Sequence, residues 1–213
     1  MNRLEEFRNG YEKFKKVKFK KNKKRFKKLI KEGQSPKVLF ITCSDSRVVP
    51  DLITSSGPGD LFIVRNIGNF VPPFNPDGEY HCTGAAVEYA VSHLNVTDII
   101  VCGHSDCGAV KELFLEHEPD AKNANIIKWL SLGEKAKDKT LEAVGDKPFK
   151  KQRRFAEKLS AVLQIENLLT YPDVKERVEA GELHLHAWHY NIKTGAIKYF
   201  DDETNEYKSL EDS

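Results

Sequence analysis

The sequence predicts an α/β fold: a mainly parallel β-sheet flanked by helices, with an N-terminal helical arm and a C-terminal β-hairpin. Three apolar runs of strand length, at residues 38–42, 61–65 and 98–102, are rich in β-branched and aromatic residues, as strands buried on both faces of a sheet are. Segments with helical periodicity separate them, and this alternation favours a parallel sheet. Two further strand patterns flank a short turn at residues 193–195, which predicts the hairpin.

Composition limits the class of protein. The chain has 213 residues, of which 39% are hydrophobic and 31% charged, so we expect one domain over residues 1–213, made of an arm at 1–33 and an α/β core at 34–213. No apolar run approaches the roughly 20 residues of a membrane span, and the first ten residues lack the apolar centre of a secretory signal. We therefore expect a cytoplasmic protein without a membrane partner, whose four cysteines are reduced thiols or metal ligands.

The arm carries most of the positive charge. Residues 12–31 contain twelve lysine or arginine residues against one acid, a balance of +11; residues 1–11 are neutral and the whole chain is +2, so residues 32–213 carry −9. Apolar side chains recur at helical spacing in the arm, at Phe7, Tyr11, Phe14, Phe26, Leu29 and Ile30. This predicts one or two amphipathic helices that end at Gly33 and pack on the same or a neighbouring subunit. The alternative is an arm that binds nucleic acid or an anionic membrane.

The other elements follow from periodicity and turn residues. We predict a short helix at 48–54, a turn at 55–60, a long loop at 66–82, a crossover helix at 83–94, a helical region at 109–171 and a short helix ending at Gly181. The helical region has a broad apolar face formed by Trp129, Leu130, Phe155, Leu159, Val162, Leu163, Ile165, Leu168 and Leu169.

Three metal-type ligands follow two of the predicted strands. Cys43 comes directly after the first strand, and His104 and Cys107 follow the third. In open α/β sheets, ligands bind at the carboxyl ends of the strands, and zinc accepts thiolate and imidazole ligands, with three protein ligands and one open position in catalytic sites. A structural site would need a fourth ligand, for which Cys82 and Cys102 are candidates. The alternative is that these cysteines are small apolar core residues.

Asp45 and Arg47 lie beside the first of these ligands. Arginine presents a planar fork that pairs with both oxygens of a carboxylate, so the two side chains can fold onto each other next to the metal. The alternative is an ion pair that only orders the loop.

Four motifs resemble those of the β-class carbonic anhydrases: CSDSR at 43–47, PGDLFIVRNIGN at 58–69, EYAV at 88–91 and GHSDCGA at 103–109. The resemblance extends from the arm to the final hairpin. It implies that Cys43, His104 and Cys107 bind one catalytic Zn²⁺ per chain and that Asp45 and Arg47 form a dyad beside it. It also implies a dimer or a multiple of dimers, with active sites at the subunit interface and the arm laid over the partner, which disfavours nucleic acid as a partner.

Within that family, the sequence resembles the plant-like subgroup. Phe40 stands where the other subgroup has a tryptophan that forms a non-catalytic bicarbonate site with a tyrosine and an arginine, and Thr42 replaces the glycine that makes room for it. The resemblance assigns substrate contacts to Gln34, Phe62, Ile67 and Tyr89, and we expect the Gly108 amide to stabilise the oxygen that becomes charged. We therefore expect an open site at neutral pH, in which Asp45 does not bind the metal.

The implied reaction is the reversible hydration of carbon dioxide to bicarbonate and a proton by zinc-bound hydroxide, which Asp45 orients. The nearest alternative is hydrolysis of carbon disulfide or carbonyl sulfide on the same fold. A more distant one is a non-enzymatic zinc protein whose arm binds nucleic acid. The sequence does not single out a proton shuttle among the remaining histidines, and we expect Cys82 and Cys102 to be reduced thiols that do not bind the metal.

Overall fold

The computed structural model describes residues 2–77, 81–118 and 120–212; part of the predicted loop at 66–82 therefore lies outside the described residues. One six-stranded sheet forms the centre of the fold. Its strands are β1 (Val38–Cys43), β2 (Leu61–Asn66), β3 (Asp98–His104), β4 (His184–Tyr190), β5 (Ile197–Asp201) and β6 (Glu206–Ser209).

The spatial order of the strands is β2-β1-β3-β4-β5-β6. The first four strands of that order are parallel, and β5 and β6 continue the sheet in the antiparallel sense. The mainly parallel sheet is confirmed, as is the hairpin, which β4 and β5 form across a turn ending at Gly195 (φ 79°). The sequence did not predict β6, a short edge strand whose residues alternate between charged and polar or aromatic types.

Helices cover the sheet and form the arm. They are α1 (Arg3–Lys13), α2 (Lys20–Glu32), α3 (Pro50–Ile53), α4 (Cys82–Glu88), α5 (Gly108–Glu112), α6 (Ala124–Leu130), α7 (Glu134–Val144), α8 (Phe149–Leu168) and α9 (Pro172–Glu179). In the ranges that the structure describes, no helix is both long and apolar enough to cross a membrane.

A π-helical segment, Phe14–Phe19, joins α1 and α2 into one continuous helix. A π-turn accommodates one extra residue, so side chains five positions apart come onto the same face. The rings of Phe14 and Phe19 are 6.0 Å apart and those of Phe19 and Phe26 are 5.4 Å apart. The arm is therefore one helix, and Gly33 (φ 82°) follows its last residue, as the sequence predicts.

Only the second half of the arm is fixed to the core. Arg25 donates a hydrogen bond to the Pro58 carbonyl and forms an ion pair with Asp60. The Leu29 side chain packs over Gly59, where an added Cβ would lie 2.7 Å from a Leu29 methyl carbon. In α1, by contrast, Leu4, Phe7 and Tyr11 are 73%, 70% and 59% exposed, so this apolar stripe is unpartnered within the described part of the chain.

The predicted helical region at 109–171 is wrong in its continuity, because the structure divides it into α5 to α8. Between α5 and α6, the Asp120 carboxylate accepts hydrogen bonds from the backbone amides of Lys122 and Asn123. Such side-chain turns satisfy the backbone in place of a helix. A second break precedes Pro148, which stands directly before α8.

The buried face of α8 is also more polar than predicted. Glu157, Ser160 and Gln164 are each about 1% exposed, whereas the predicted face residues Phe155 and Leu169 are 40% and 38% exposed. Gln164 accepts a hydrogen bond from the Val71 amide at 2.7 Å, so a polar side chain fixes the 66–82 loop against the helix.

The core itself follows the predicted strands. Leu39 and Ile41 of β1 and Ile99 and Val101 of β3 are fully buried, with Ala161 and Leu168 of α8 packed on the same cluster. These strands form a rigid base whose carboxyl ends carry the predicted ligands.

Two glycines separate the effect of backbone strain from that of a steric clash. Gly59 (φ 88°) contacts Leu29, and Gly181 (φ 71°) has no atom within 4 Å of an added Cβ. We expect Gly181→Ala to lower the free energy of unfolding by about 1 kcal/mol through strain alone. Gly59→Ala should lower the free energy of unfolding by roughly a further 1 kcal/mol. It should also speed amide hydrogen exchange in α2, because the added Cβ would displace Leu29. Denaturant unfolding and hydrogen exchange measure both effects; equal losses with unchanged exchange in α2 would contradict this account.

Candidate metal centre

Cys43, His104 and Cys107 form one buried cluster. Their ligand atoms all lie within 4.8 Å of one another, and the three residues are 5%, 1% and 1% exposed. Cys43 is the last residue of β1, His104 is the last of β3, and Cys107 directly precedes α5. The structure thus brings together the three ligands that the sequence proposes.

Strand register and one strained turn bring these side chains together. β1 and β3 are parallel neighbours with Thr42 opposite Cys102, so both strands reach the same edge of the sheet within one residue of each other. Asp106 adopts a left-handed backbone conformation (φ 59°), which is uncommon outside glycine but tolerated by aspartate. That turn reverses the chain after His104 and directs Cys107 back to the cluster.

The donor set fits a thiophilic divalent metal. His104 Nδ1 donates to the Ser105 carbonyl at 2.9 Å, which leaves Nε2 as the unprotonated nitrogen, and this buried atom has no hydrogen-bond partner within the described chain. A hydrogen bond from the Cys107 thiol lowers the pKa of Cys43 to about 4, so a thiolate is available. Two sulfurs and one imidazole are ligands that zinc prefers.

Asp45 and Arg47 form a two-point ion pair beside the cluster. Arg47 Nε donates to Asp45 Oδ1 at 2.9 Å, and Nη2 donates to Oδ2 at 2.7 Å. The Arg47 backbone amide also donates to Oδ1 at 2.9 Å. The guanidinium holds the pKa of Asp45 well below its usual range, so the carboxylate is ionised and turned to Arg47.

Three further hydrogen bonds hold this dyad and the Cys43 backbone in place, and sequence reasoning missed Arg65, which donates two of them. Arg47 Nη2 donates to the Asp106 carbonyl at 3.1 Å, which ties the dyad to the loop of the other two ligands. Arg65 of β2 donates to the Asp45 carbonyl at 2.7 Å and to the Cys43 carbonyl at 3.2 Å. The sequence feature that could have identified Arg65 is a charged residue near the end of an otherwise apolar strand.

Glu157 was also missed. Its buried carboxylate accepts a hydrogen bond from the Cys107 amide at 3.3 Å and lies 3.2 Å from Arg153 Nε. Arg153 in turn forms an ion pair with Asp106, and His189 Nε2 lies 3.7 Å from the other Glu157 oxygen. α8 therefore supports the second ligand loop from behind through charged groups. The sequence feature that could have identified Glu157 is an acidic residue among the apolar residues of a predicted helix.

The proposed substrate residues fall into two groups. Ile67 and Gly108 lie at the same sheet edge as the cluster, Ile67 directly after β2 and Gly108 as the first residue of α5. Ile67 borders a cavity of about 530 Å³ that includes Ser44 and Trp129. Trp129 donates to the Ile67 carbonyl at 2.6 Å.

Gln34, Phe62 and Tyr89 lie away from the cluster of their own chain. Phe62 is opposite Leu39, four positions before the residue that pairs with Cys43, which corresponds to about 13 Å along a strand. Tyr89 packs against Phe62 with ring centres 5.9 Å apart, and Gln34 is an exposed residue that precedes β1. The single chain does not bring these three residues to the metal ligands.

The residues that define the subgroup are both buried. The Phe40 ring packs edge-on against Trp188 at 6.1 Å, and Thr42 Oγ1 donates to the Cys102 carbonyl at 2.9 Å. Among the other cysteines, Cys82 is exposed, whereas Cys102 is buried and its pKa is raised to about 12 by burial. Cys102 is therefore a neutral thiol, and neither cysteine belongs to the cluster within the described residues.

Comparison with known proteins gives consistent results. A family model described as carbonic anhydrase matches residues 38–197. A carbonic anhydrase from Helicobacter pylori strain J99 is 39% identical over 99% of this chain and 92% of its own. The structure of the β-carbonic anhydrase CcaA covers 98% of this chain and 100% of its own at 36% identity, with a TM-score of 0.91. A tetrameric β-carbonic anhydrase from Sordaria macrospora is 29% identical, with coverages of 93% and 97% and a TM-score of 0.81.

The two buried cysteines near the end of β3 provide a matched pair for testing the ligands. We expect Cys107→Ala to reduce bound zinc from about one ion per chain to near zero, because it removes one of three protein ligands. Cys102→Ala should keep the metal, because its thiol is neutral and outside the cluster. Elemental analysis of dialysed protein measures zinc per chain, and circular dichroism checks that both variants fold. Loss of zinc in both variants, or in neither, would contradict the assignment.

Proposed function

Since this chain belongs to the β-class carbonic anhydrases, we propose that its own site performs the general reaction of that family, the reversible hydration of carbon dioxide, and that Cys43, His104 and Cys107 hold one zinc ion for it. The observation that carries the proposal is the buried cluster with an unpartnered His104 Nε2, lying beside an ionised carboxylate. A zinc ion bound there would act as a Lewis acid that makes water nucleophilic near neutral pH.

Asp45 supplies orientation in this proposal. Because Arg47 occupies both of its oxygens from one side and lowers its pKa, the carboxylate stays ionised and keeps acceptor capacity for one more hydrogen bond. A water molecule that donates to Asp45 presents its lone pair in a fixed direction, which lowers the entropic cost of attack on carbon. The pairing with Arg47 also supports the expected open arrangement, in which Asp45 is not a metal ligand.

Carbon dioxide is apolar, so its binding site needs an apolar wall. Ile67 borders this edge of the sheet, and the Gly108 amide, at the start of α5, is a donor for the oxygen that becomes charged. We propose that Gln34, Phe62 and Tyr89 complete the wall from a second copy of the chain, because Phe62 and Tyr89 pack on each other and all three residues lie away from the cluster of their own chain.

A second copy also accounts for the arm. The exposed stripe of Leu4, Phe7 and Tyr11 is an apolar helix face of the kind that packs on another surface. Residues 12–31, at +11, and residues 32–213, at −9, are complementary in charge. We propose a dimer or a multiple of dimers, and the tetrameric relative from Sordaria macrospora supports that choice. The free state of Cys43, Cys82, Cys102 and Cys107 suits a reducing compartment, and we propose the cytoplasm.

The dyad can be tested without loss of the metal. We expect Asp45→Asn to lower the rate of carbon dioxide hydration by about 100-fold or more while zinc content stays at wild type. Asp201→Asn is the control, since it removes a carboxylate that pairs with Lys208 on the hairpin and should keep the rate. Stopped-flow hydration measures both variants, and parallel assays with carbonyl sulfide and carbon disulfide identify the substrate. An unchanged rate in Asp45→Asn with zinc retained would refute the role of the dyad.

A mixed oligomer tests whether two chains share each site. We expect Asp45→Asn and Phe62→Ala chains each to be impaired alone. In a mixed dimer with shared sites, one site contains both changes and the other contains neither, so co-expression with two affinity tags should restore close to half of the wild-type rate. If all site residues came from one chain, no intact site could form and the rate would stay near the mean of the two variants.

A further inference from the structure

A second cavity lies at the carboxyl edge of the sheet, where Ser105 and Asp106, the two residues between His104 and Cys107 in the loop, form part of its lining. Its volume is about 590 Å³, which lies in the range of small-molecule sites. Six cationic side chains line it: Lys147, Lys151, Arg154, Lys158, Lys193 and Lys198. None of these residues takes part in the proposed reaction, so the cavity requires a separate explanation.

The positive charge of this cavity is poorly neutralised by the protein itself. Asp106 is the one carboxylate among its lining residues, and Arg153 already pairs with it. Lys147 pairs with its exposed neighbour Asp146 at 2.6 Å. Over the described ranges, no carboxylate lies within 4 Å of Lys151, Arg154 or Lys198.

The cationic side chains of this cavity come from distant parts of the sequence, which distinguishes it from the solvent-exposed face of a single helix. The first four cations belong to α8 and the turn before it, whereas Lys193 and Lys198 belong to the β4–β5 turn and to β5. Lys158 shows the effect of this crowding, because burial first and the charge of Lys198 second lower its pKa. The cations converge although residues 32–213 carry a net charge of −9, so local placement, not overall composition, produces the positive potential.

The remaining lining residues add recognition groups of other kinds. Asn191 and Ser105 offer polar atoms, and His189, only 7% exposed, borders the cavity; its Nε2 makes no hydrogen bond within the described chain and lies 3.7 Å from Glu157. Phe155 is 40% exposed, which provides an apolar surface beside the charges. A ligand that combines anionic groups with an organic scaffold would use both parts.

We propose that this basic cavity is a second ligand site, separate from the metal centre, which binds a small organic molecule carrying two or more phosphoryl groups. Lysine ammonium groups are compact charges that suit phosphate oxygens, and several of them in one concave site favour a multivalent anion over a monovalent one. Phe155 would contact the organic scaffold. The proposal does not depend on the reaction at the metal centre, and its test is a binding measurement.

Charge-reversal variants test the site directly. Isothermal titration of the zinc-loaded oligomer with fructose 1,6-bisphosphate, adenosine diphosphate and inorganic phosphate should give one site per chain. We expect Lys151→Glu combined with Lys198→Glu to weaken binding of the first two by at least about tenfold. The double variant should keep the wild-type hydration rate. Lys37→Glu is the control, because Lys37 is exposed and precedes β1 at the opposite edge of the sheet; it should bind as the wild type does.

The three probes also distinguish a phosphorylated organic ligand from free inorganic phosphate. Tighter binding of either organic probe than of inorganic phosphate supports a phosphorylated metabolite, and tighter binding of adenosine diphosphate than of the sugar bisphosphate indicates stacking on Phe155. The proposal is overturned if no probe binds, if the control weakens binding as much as the double variant, or if bicarbonate displaces the probe competitively. It is also overturned if the double variant dissociates the oligomer by light scattering, since the cavity would then be a subunit contact.

Discussion

The parallel pairing of β1 with β3 is the constraint on which the rest of the site depends. Because the two strands run in the same direction with Thr42 opposite Cys102, their last residues emerge side by side, and a thiol and an imidazole meet without either chain leaving the sheet. A slip of one residue would move one ligand about 3.3 Å along the strand direction relative to the other. Arg65 from the neighbouring strand and Glu157 from α8 then hold the two ligand loops by their backbone groups, so the metal site needs little support from mobile loops.

Much of this arrangement could be predicted from sequence because strand ends are easy to locate. Apolar runs ending at Cys43 and near His104 predict both strands, and a parallel sheet then fixes which edge they share. The pairing of Asp45 with Arg47 is equally local, since the arginine lies only two positions after the carboxylate. The arm was predicted as well, although periodicity did not decide between one helix and two; that depended on the π-turn, which has no sequence signal of its own.

The features that could not be predicted from sequence depend on side-chain hydrogen bonds, some between residues far apart in the chain, or on contacts with a second copy of the chain. Glu157 accepts a hydrogen bond from the Cys107 amide, which lies fifty residues away in sequence. A glutamate in an amphipathic helix is expected on the exposed face, so periodicity did not predict that its carboxylate is buried. The break at Asp120 depends on side-chain hydrogen bonds that compete with a helix. Gln34, Phe62 and Tyr89 are a different case: the family resemblance names them, yet in one chain they lie away from the ligands, because their proposed place is defined only when two copies meet.

The π-turn at Phe14–Phe19 has a consequence for how the arm tolerates changes in length. Removing one residue there would let the segment revert to an ordinary α-helix, which is the more favourable backbone state, so the isolated arm would lose nothing. Because the wider turn absorbs one residue, the same deletion would also leave the residues before it facing close to their present direction, and the Leu4, Phe7 and Tyr11 stripe would keep its orientation relative to the fixed contacts at Arg25 and Leu29. Deletion of a second residue has no such turn to absorb it and would rotate the stripe by about 100° relative to α2, so chains that differ by two residues in this segment would fold alike yet fail to co-assemble.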